Sequence, residues 1–246
     1  MIGRTNSGSG GGGALKTITV DLYSAANDTV SYTNPFDGLS HTVTTDASGH
    51  ALAEIAIRRK KTASVTFESS VAKNPTALEN YYSKSIVLTE ETTSIYVMPD
   101  DFIYWYGALN SAYGAGDLKS LGYTANIEDY AMANVSFGTN SFVANYTKST
   151  KYTAGVGTNI QVDLSHFSSI CAIIDHANSG ASGKFNNTFY NTNKRTIRQT
   201  DGYITTTSMT RKVQNITDIT TSAYVGINVN YANDAPKPTI YALWLE

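Results

Sequence analysis

The sequence predicts an all-β protein built as two successive sheet-on-sheet modules, and three observations predict it. Apolar residues recur with period two through much of the chain, the spacing of strands that bury one face. The alternating segments are short and are separated by reversals such as Asp37-Gly38 and Asp46-Ala47-Ser48-Gly49, whose residues tolerate positive φ. Charged residues make up only 15% of the 246, and the other polar positions are mostly Thr, Ser, Asn and Gly, a mix that favours strands and turns over helical bundles.

In the first module, Ile18, Val20 and Leu22 alternate with Thr17, Thr19 and Asp21, which predicts a half-buried strand from Leu15. Strands follow at Val30 to Thr33, His41 to Thr45, Ala51 to Ile57, Ala63 to Ser69, Ser85 to Thr89 and Ser94 to Met98. The basic run Arg58-Arg59-Lys60-Lys61 lies between two of them and reads as a solvated turn. Asn74-Pro75, a capping residue before a proline at the first helical position, predicts one short surface helix to Asn80. Seven short strands at this density are those of an immunoglobulin-like or transthyretin-like sandwich. Pro99 cannot donate to a sheet and marks the boundary, so the expected organisation is 1–14, 15–99 and 100–246.

In the second module, the aromatic stretch Phe102-Ile103-Tyr104-Trp105-Tyr106-Gly107 leads into a Gly/Ala/Asn/Tyr-rich loop from Ala108 to Gly122, and a helical turn is expected near Ile127 to Met132. Strands are expected at Val135 to Phe137, Phe142 to Tyr146, Asn159 to Leu164, Ser169 to Asp175, Thr188 to Tyr190, Thr196 to Gln199, Tyr203 to Ser208, Ala223 to Val229 and Thr239 to Leu245. A jelly-roll or lectin-like sandwich is their natural closure. The last strand ends at the chain end, which should therefore be docked. No long internal repeat or heptad pattern points to a propeller, solenoid or coiled coil.

The leader Met1 to Gly13 contains Ser7-Gly8-Ser9-Gly10-Gly11-Gly12-Gly13, too glycine-rich to order by itself. Its G-x-G-x-x-G spacing at Gly8, Gly10 and Gly13 follows no strand and precedes no helix, so no dinucleotide site is expected. The net charge of −2 offers no general attraction to nucleic acid or anionic lipid. No export leader and no run of about 18 apolar residues is evident, so no membrane partner is expected. Cys171, the single cysteine, sits in the apolar run Ile170-Cys171-Ala172-Ile173-Ile174 and reads as a buried, inert thiol.

Catalytic and metal signatures are weak. His41, His50, His166 and His176 form no zinc-binding spacing, and Asp163, His166, Asp175 and His176 read as strand-end turn residues. Ser179-Gly180-Ala181-Ser182-Gly183 is not a nucleophile elbow. Asp100, Asp101, Asp117, Glu128 and Asp129 would be the carboxylates of a glycoside-cleaving pair or a calcium site, but the sequence fixes no separation between them and holds no EF-hand spacing. The expectation is a non-enzyme without metal or cofactor.

Seventeen tyrosines supply rigid amphipathic contact area. The group most suited to stacking on sugar rings is Tyr104, Trp105, Tyr106, Tyr113 and Tyr123, near Tyr130, with the loop from Ala108 to Gly122 as its setting. The alternative for Tyr104, Trp105 and Tyr106 is a strand in a core contact.

Two resemblances add a setting. Val43-Thr44-Thr45-Asp46-Ala47-Ser48-Gly49-His50-Ala51 resembles the strand-turn-strand signature of carboxypeptidase-regulatory-like and related bacterial Ig-like modules, which are spacers or adhesion units. Met1-Ile2-Gly3-Arg4-Thr5-Asn6 with its glycine run, the Ig-like block, Ile95-Tyr96-Val97-Met98-Pro99 and Ile103-Tyr104-Trp105-Tyr106-Gly107 resemble fibre-type structural proteins of bacteriophages and prophages of gut Firmicutes, over about the first 107 residues. That resemblance implies a virion location after assembly in the bacterial cytoplasm. It also implies an N-terminus, through Ile2, Arg4, Asn6, Gly8, Gly10 and Gly13, gripped by other capsid or tail proteins. The distal domain would face a glycan or protein of the bacterial surface, in a homo-oligomer with a trimer favoured. The rival expectations are a capsid decoration or head-fibre protein and a polysaccharide-degrading tail component.

Overall fold

The computed structural model describes residues 14–71, 82–125, 130–145, 151–176, 184–203, 209–231 and 238–246, with the backbone alone at 176, 184–187, 199–203 and 230–231. The expected helix at Asn74 to Asn80 lies outside the described residues. The chain divides into two compact units. One holds the described residues up to Ser70 together with Ser83–Val97, and the other holds Val71, Tyr82 and the described residues from Met98 to Glu246. Among the described residues the regular elements of both are strands apart from two short 3-10 turns, and the protein is all-β, as its periodicity predicts.

The first unit contains β1 (Leu15–Tyr23), β2 (Thr29–Asn34), β3 (Leu39–Thr44), β4 (His50–Arg58), β5 (Ala63–Ser69), β6 (Ser83–Leu88) and β7 (Ser94–Tyr96). These are the seven expected strands. They form a three-stranded sheet in the order β4-β1-β7 and a four-stranded sheet in the order β3-β2-β5-β6. Period-two alternation sends Ile18, Val20 and Leu22 of β1, Ala53, Ile55 and Ile57 of β4, and Val65 and Phe67 of β5 into one core with Val30, Tyr32 and Ile95. β7 lies parallel to β1, with Tyr23 opposite Tyr96, and β4 lies antiparallel to β1, with Tyr23 opposite His50.

A buried carboxylate ties the strand ends together. Asp28 is fully buried and accepts from Ser24 Oγ at 2.5 Å, Ser69 Oγ at 2.7 Å, and the Ser70 N–H and Oγ at 2.9 and 2.8 Å. Four donors on one carboxylate offset much of the cost of removing it from water. The turn before β4 is fastened by Asp46, whose Oδ1 accepts from the Ser48 N–H and hydroxyl and from the His50 N–H. The basic run is a solvated turn between β4 and β5, with Lys60 at a φ of 54°.

The second unit contains β8 (Phe102–Trp105), β9 (Ala108–Leu109), β10 (Gly116–Asp117), β11 (Ala131–Met132), β12 (Asn134–Phe137), β13 (Phe142–Asn145), β14 (Tyr152–Gly157), β15 (Val162–Asp163), β16 (Ser169–His176), β17 (Lys184–Tyr190), β18 (Thr196–Tyr203), β19 (Thr210–Asn215), β20 (Ser222–Tyr231) and β21 (Pro238–Leu245). The 3-10 turns are Ser111–Tyr113 and Leu164–His166. One sheet runs β10-β14-β20-β17-β18, with β11 beside β14 and β15 beside β20. The other runs β12-β13-β21-β16-β19, with β8 and β9 continuing from β21. Ile170, Ala172 and Ile174 of β16 meet Val225, Ile227 and Val229 of β20 in the core between the sheets. The chain ends in β21, with the Glu246 N–H bonded to the Ser169 carbonyl.

Several expectations change here: the strand expected at Asn159 to Leu164 shrinks to Val162–Asp163, with Leu164 opening a 3-10 turn, and the loop expected from Ala108 to Gly122 holds β9 and β10. β14 and β19 form where no strand was expected. Ala131 and Met132, expected in a helical turn, instead pair parallel to Tyr152 and Thr153. β14 escapes the periodicity because both its faces are buried: Tyr152, Ala154 and Val156 enter the main core, while Gly155 and Gly157 clear the opposite face. A Cβ on Gly157 would stand 2.6 Å from Leu118 Cδ2, so the missing side chain lets Leu118 descend onto the sheet.

Candidate functional site: a cross-strand aromatic ladder

The five aromatics expected to bind are not brought together, and four of them are core. Tyr104 is fully buried, its ring edge-on to Phe142 at 5.0 Å. Trp105, also fully buried, packs edge-to-face with Tyr82 at 5.0 Å, Tyr106 at 5.1 Å and Trp244 at 5.7 Å. Tyr106 and Gly107 form the two-residue turn between β8 and β9, with φ of 39° and 99°. Positive φ at both positions is the geometry that lets neighbouring strands keep their twist. A Cβ at Gly107 would fall 2.2 Å from the Thr139 carbonyl, so only glycine fits.

Tyr123 is buried in a separate cluster with Leu118 and Tyr190 and donates to the Thr158 carbonyl. Lys194 caps that cluster, its Nζ 5.1 Å from the Tyr123 ring centroid and bonded to the Leu121 carbonyl and Asn159 Oδ1. Burial pushes the phenols of Tyr104 and Tyr123 well above their ordinary range, and that of Tyr190 up to about 12. Tyr113 is half-buried and donates to Asp101 Oδ1 at 2.5 Å. The burial has a plain cause at β8: it lies beside β21, where both faces of β8 are covered, so Tyr104 and Trp105, which point to opposite faces, are both buried. The anchoring residues Ile2, Arg4, Asn6, Gly8, Gly10 and Gly13 lie outside the described residues.

Phe137 is exposed on the second unit, but a stacked group of aromatics that reaches solvent stands on the first unit. On the solvent face of the β4-β1-β7 sheet, His50, Tyr23 and Tyr96 occupy one row across three strands. The Tyr23 and Tyr96 rings stack at 4.8 Å with an interplanar angle of 9°, and Tyr23 meets His50 at 5.1 Å. Because the centroid separation matches the strand spacing, the rings stand on the sheet and cover one another's faces. Tyr96 is on an edge strand and is 48% exposed, so its outer face is open. Asp21, the next outward residue along β1, has a side chain 48% exposed and accepts a hydrogen bond from His50 Nε2 at 2.8 Å. The Tyr23 phenol is raised by desolvation first, then by Asp21 and Tyr96. An open aromatic face beside a carboxylate and an imidazole can stack on an apolar ring face and hydrogen-bond its substituents.

One signal in the sequence reveals this ladder: an aromatic side chain on the polar phase of a strand. Tyr23 continues the series Thr17, Thr19, Asp21, and Tyr96 sits between the inward Ile95 and Val97.

Residues weighed for chemistry hold structural bonds. Asp117 takes the Ser120 and Val135 N–H groups, and Asp163 caps the Leu164–His166 turn with His166 at 3.6 Å. Cys171 is buried and its thiol is raised chiefly by desolvation. Among the described residues no group of three His, Cys, Asp or Glu side chains is placed to hold a metal ion.

No family model matches the chain, and no curated protein matches it. Among solved structures it is similar to a carbohydrate-binding module from the β-sandwich superfamily described for promiscuous specificity, at 12% identity over 95% of this chain and 98% of that one, with a TM-score of 0.37. It is also similar to the CBM51-2 and INT domains of Clostridium perfringens ZmpB, at 13% identity over 76% of this chain and 38% of that one, with a TM-score of 0.27. A third is the Arthrobacter globiformis T6 isomalto-dextranase complexed with panose, at 11% identity over 95% of this chain and 33% of that one, with a TM-score of 0.28. At such values these likenesses assign no ligand to the chain.

Proposed function

We propose that this chain is a non-enzymatic virion structural protein of fibre or adhesin type that binds a bacterial surface glycan through the His50–Tyr23–Tyr96 ladder. The observation that carries the binding half is the open face of Tyr96 on a rigid sheet, with Asp21 and His50 beside it as hydrogen-bonding groups. The particle half rests on the sequence resemblance and on a glycine-rich leader suited to being gripped by neighbouring subunits. A single stacking site is weak, so an oligomer, with a trimer favoured, supplies avidity.

Two measurements test the two halves separately. For binding, Tyr96→Ala is expected to lose about 2 kcal/mol of affinity for host-wall glycan, roughly 30-fold, with the melting temperature nearly unchanged. Wild-type affinity in the variant removes the ladder from the function, and release of reducing ends from the glycan removes the non-enzyme reading. For location, antibody raised against residues 100–246 is expected to label purified particles in micrographs, and label restricted to bacterial surfaces defeats the virion assignment.

A further inference from the structure

The four-stranded sheet of the first unit is split along its middle. β2 pairs with β3 along its whole length, to Asn34 opposite Leu39, and β5 pairs with β6 from Ala63 to Glu68. Between β2 and β5, however, the register covers only Val30 with Ser69, Ser31 with Glu68 and Tyr32 with Phe67. Beyond that point β5 has no partner in β2, and the two hairpins diverge. The cause is local to the end of β2. The Asn34 side chain donates to the Ala56 carbonyl of the opposite sheet at 2.8 Å and accepts the Phe36 N–H, drawing the chain into its turn. Pro35, next in line, has no N–H to continue a ladder.

The split opens a cleft of about 490 Å³, within the range of about 300–1,000 Å³ typical of small-ligand sites. Its walls carry five aliphatic hydroxyls, from Ser31, Thr33, Ser40, Ser64 and Thr66, and the Glu68 carboxylate. Thr33 and Ser40 share a hydrogen bond at 3.2 Å, and Thr66 shares one with Ser85 at 2.8 Å, so these hydroxyls are already oriented. Pro35, exposed just past the end of β2, adds a small apolar patch. The lining includes no base, which disfavours an anionic ligand, and too little apolar surface for a lipid.

We infer that this cleft is a second binding site, specific for a short neutral saccharide. Hydroxyls serve as both donor and acceptor, so a polyol exchanges its water shell for them without leaving polar atoms unpaired. Glu68 supplies an acceptor for paired sugar hydroxyls, and the exposed Pro35 supplies contact for a C–H face. The site lies on the outer face of the four-stranded sheet, whereas the ladder lies on the outer face of the three-stranded sheet. The inference therefore stands apart from the ladder.

The experiment titrates the full chain, labelled for amide NMR, with maltotriose, cellotriose and chitotriose, and separately with an alternating Thr-Val octapeptide as a strand mimic. A saccharide in the millimolar range is expected to shift the amides of Thr33, Ser64 and Thr66. Thr66→Tyr, which fills the cleft from an exposed strand position, is expected to weaken that binding at least about tenfold. Glu68→Gln weakens it less, and Tyr96→Ala leaves it unchanged, which separates this site from the ladder. The inference is overturned if no trisaccharide moves these amides, if Thr66→Tyr binds as the wild type does, or if only the peptide moves them.

Discussion

Tyr23 and Asp28 show how one side chain can serve a surface or a frame, depending on which phase of the strand pattern it occupies. Tyr23 sits on the solvent phase of β1, and its neighbours on β4 and β7 turn it into the middle rung of a ladder. Asp28 lies at a strand entrance and is drawn inward by three serines. Asp28→Ala leaves buried hydroxyls and a backbone N–H without their acceptor, which costs about 3 kcal/mol. The first unit's melting temperature should then fall by about 12–24 °C, read by calorimetry. Asp28→Asn keeps one acceptor and should fall less; equal stability of the Ala variant and the wild type would show that the carboxylate holds nothing together.

At the scale of strands, legibility followed exposure. β1, β4 and β5 bury one face and expose the other, so alternation betrays them and marks their ends to within a residue or two. β14 is buried on both faces and reads Tyr-Thr-Ala-Gly-Val-Gly, with no polar phase and with glycines that look like loop. β19, Thr-Arg-Lys-Val-Gln-Asn, is mostly polar and only partly buried, and its pairing with β16 is a long-range fact that composition does not carry. The candidate site was missed for the same reason: three rings far apart in sequence become neighbours only through register, while the densest aromatic run was densest because it was core. Gly155 tests the account of β14. A Cβ there would lie 1.9 Å from the Ile227 carbonyl and 2.8 Å from the Asn228 Cα, both backbone of β20. Gly155→Ala should thus cost the second unit about 3 kcal/mol or more, measured by denaturant midpoint, whereas an unchanged midpoint would mean the two strands do not approach this closely.

For the whole molecule, the two units differ in what fills them, and alkaline pH separates them. Among the described residues the first core is mainly aliphatic with one buried tyrosine, Tyr32, whereas the second unit buries Tyr104, Tyr106, Tyr123, Tyr152 and Tyr190. Desolvation raises the phenols of Tyr104, Tyr123 and Tyr190, the last to about 12, so the folded second unit holds protons that an unfolded phenol releases near 10. The sign follows: stability is full below about pH 10 and declines as pH rises from there toward the folded values. Tyr32 is raised too, by burial and then by Asp37, but contributes one such group against several. Both tryptophans, Trp105 and Trp244, belong to the second unit, so their fluorescence follows that unit alone. Raising the pH above about 10 should unfold it in one step in which tyrosinate absorbance and the tryptophan signal change together. Normal titration of all seventeen tyrosines near pH 10 with unchanged tryptophan fluorescence would contradict the phenolic core described here.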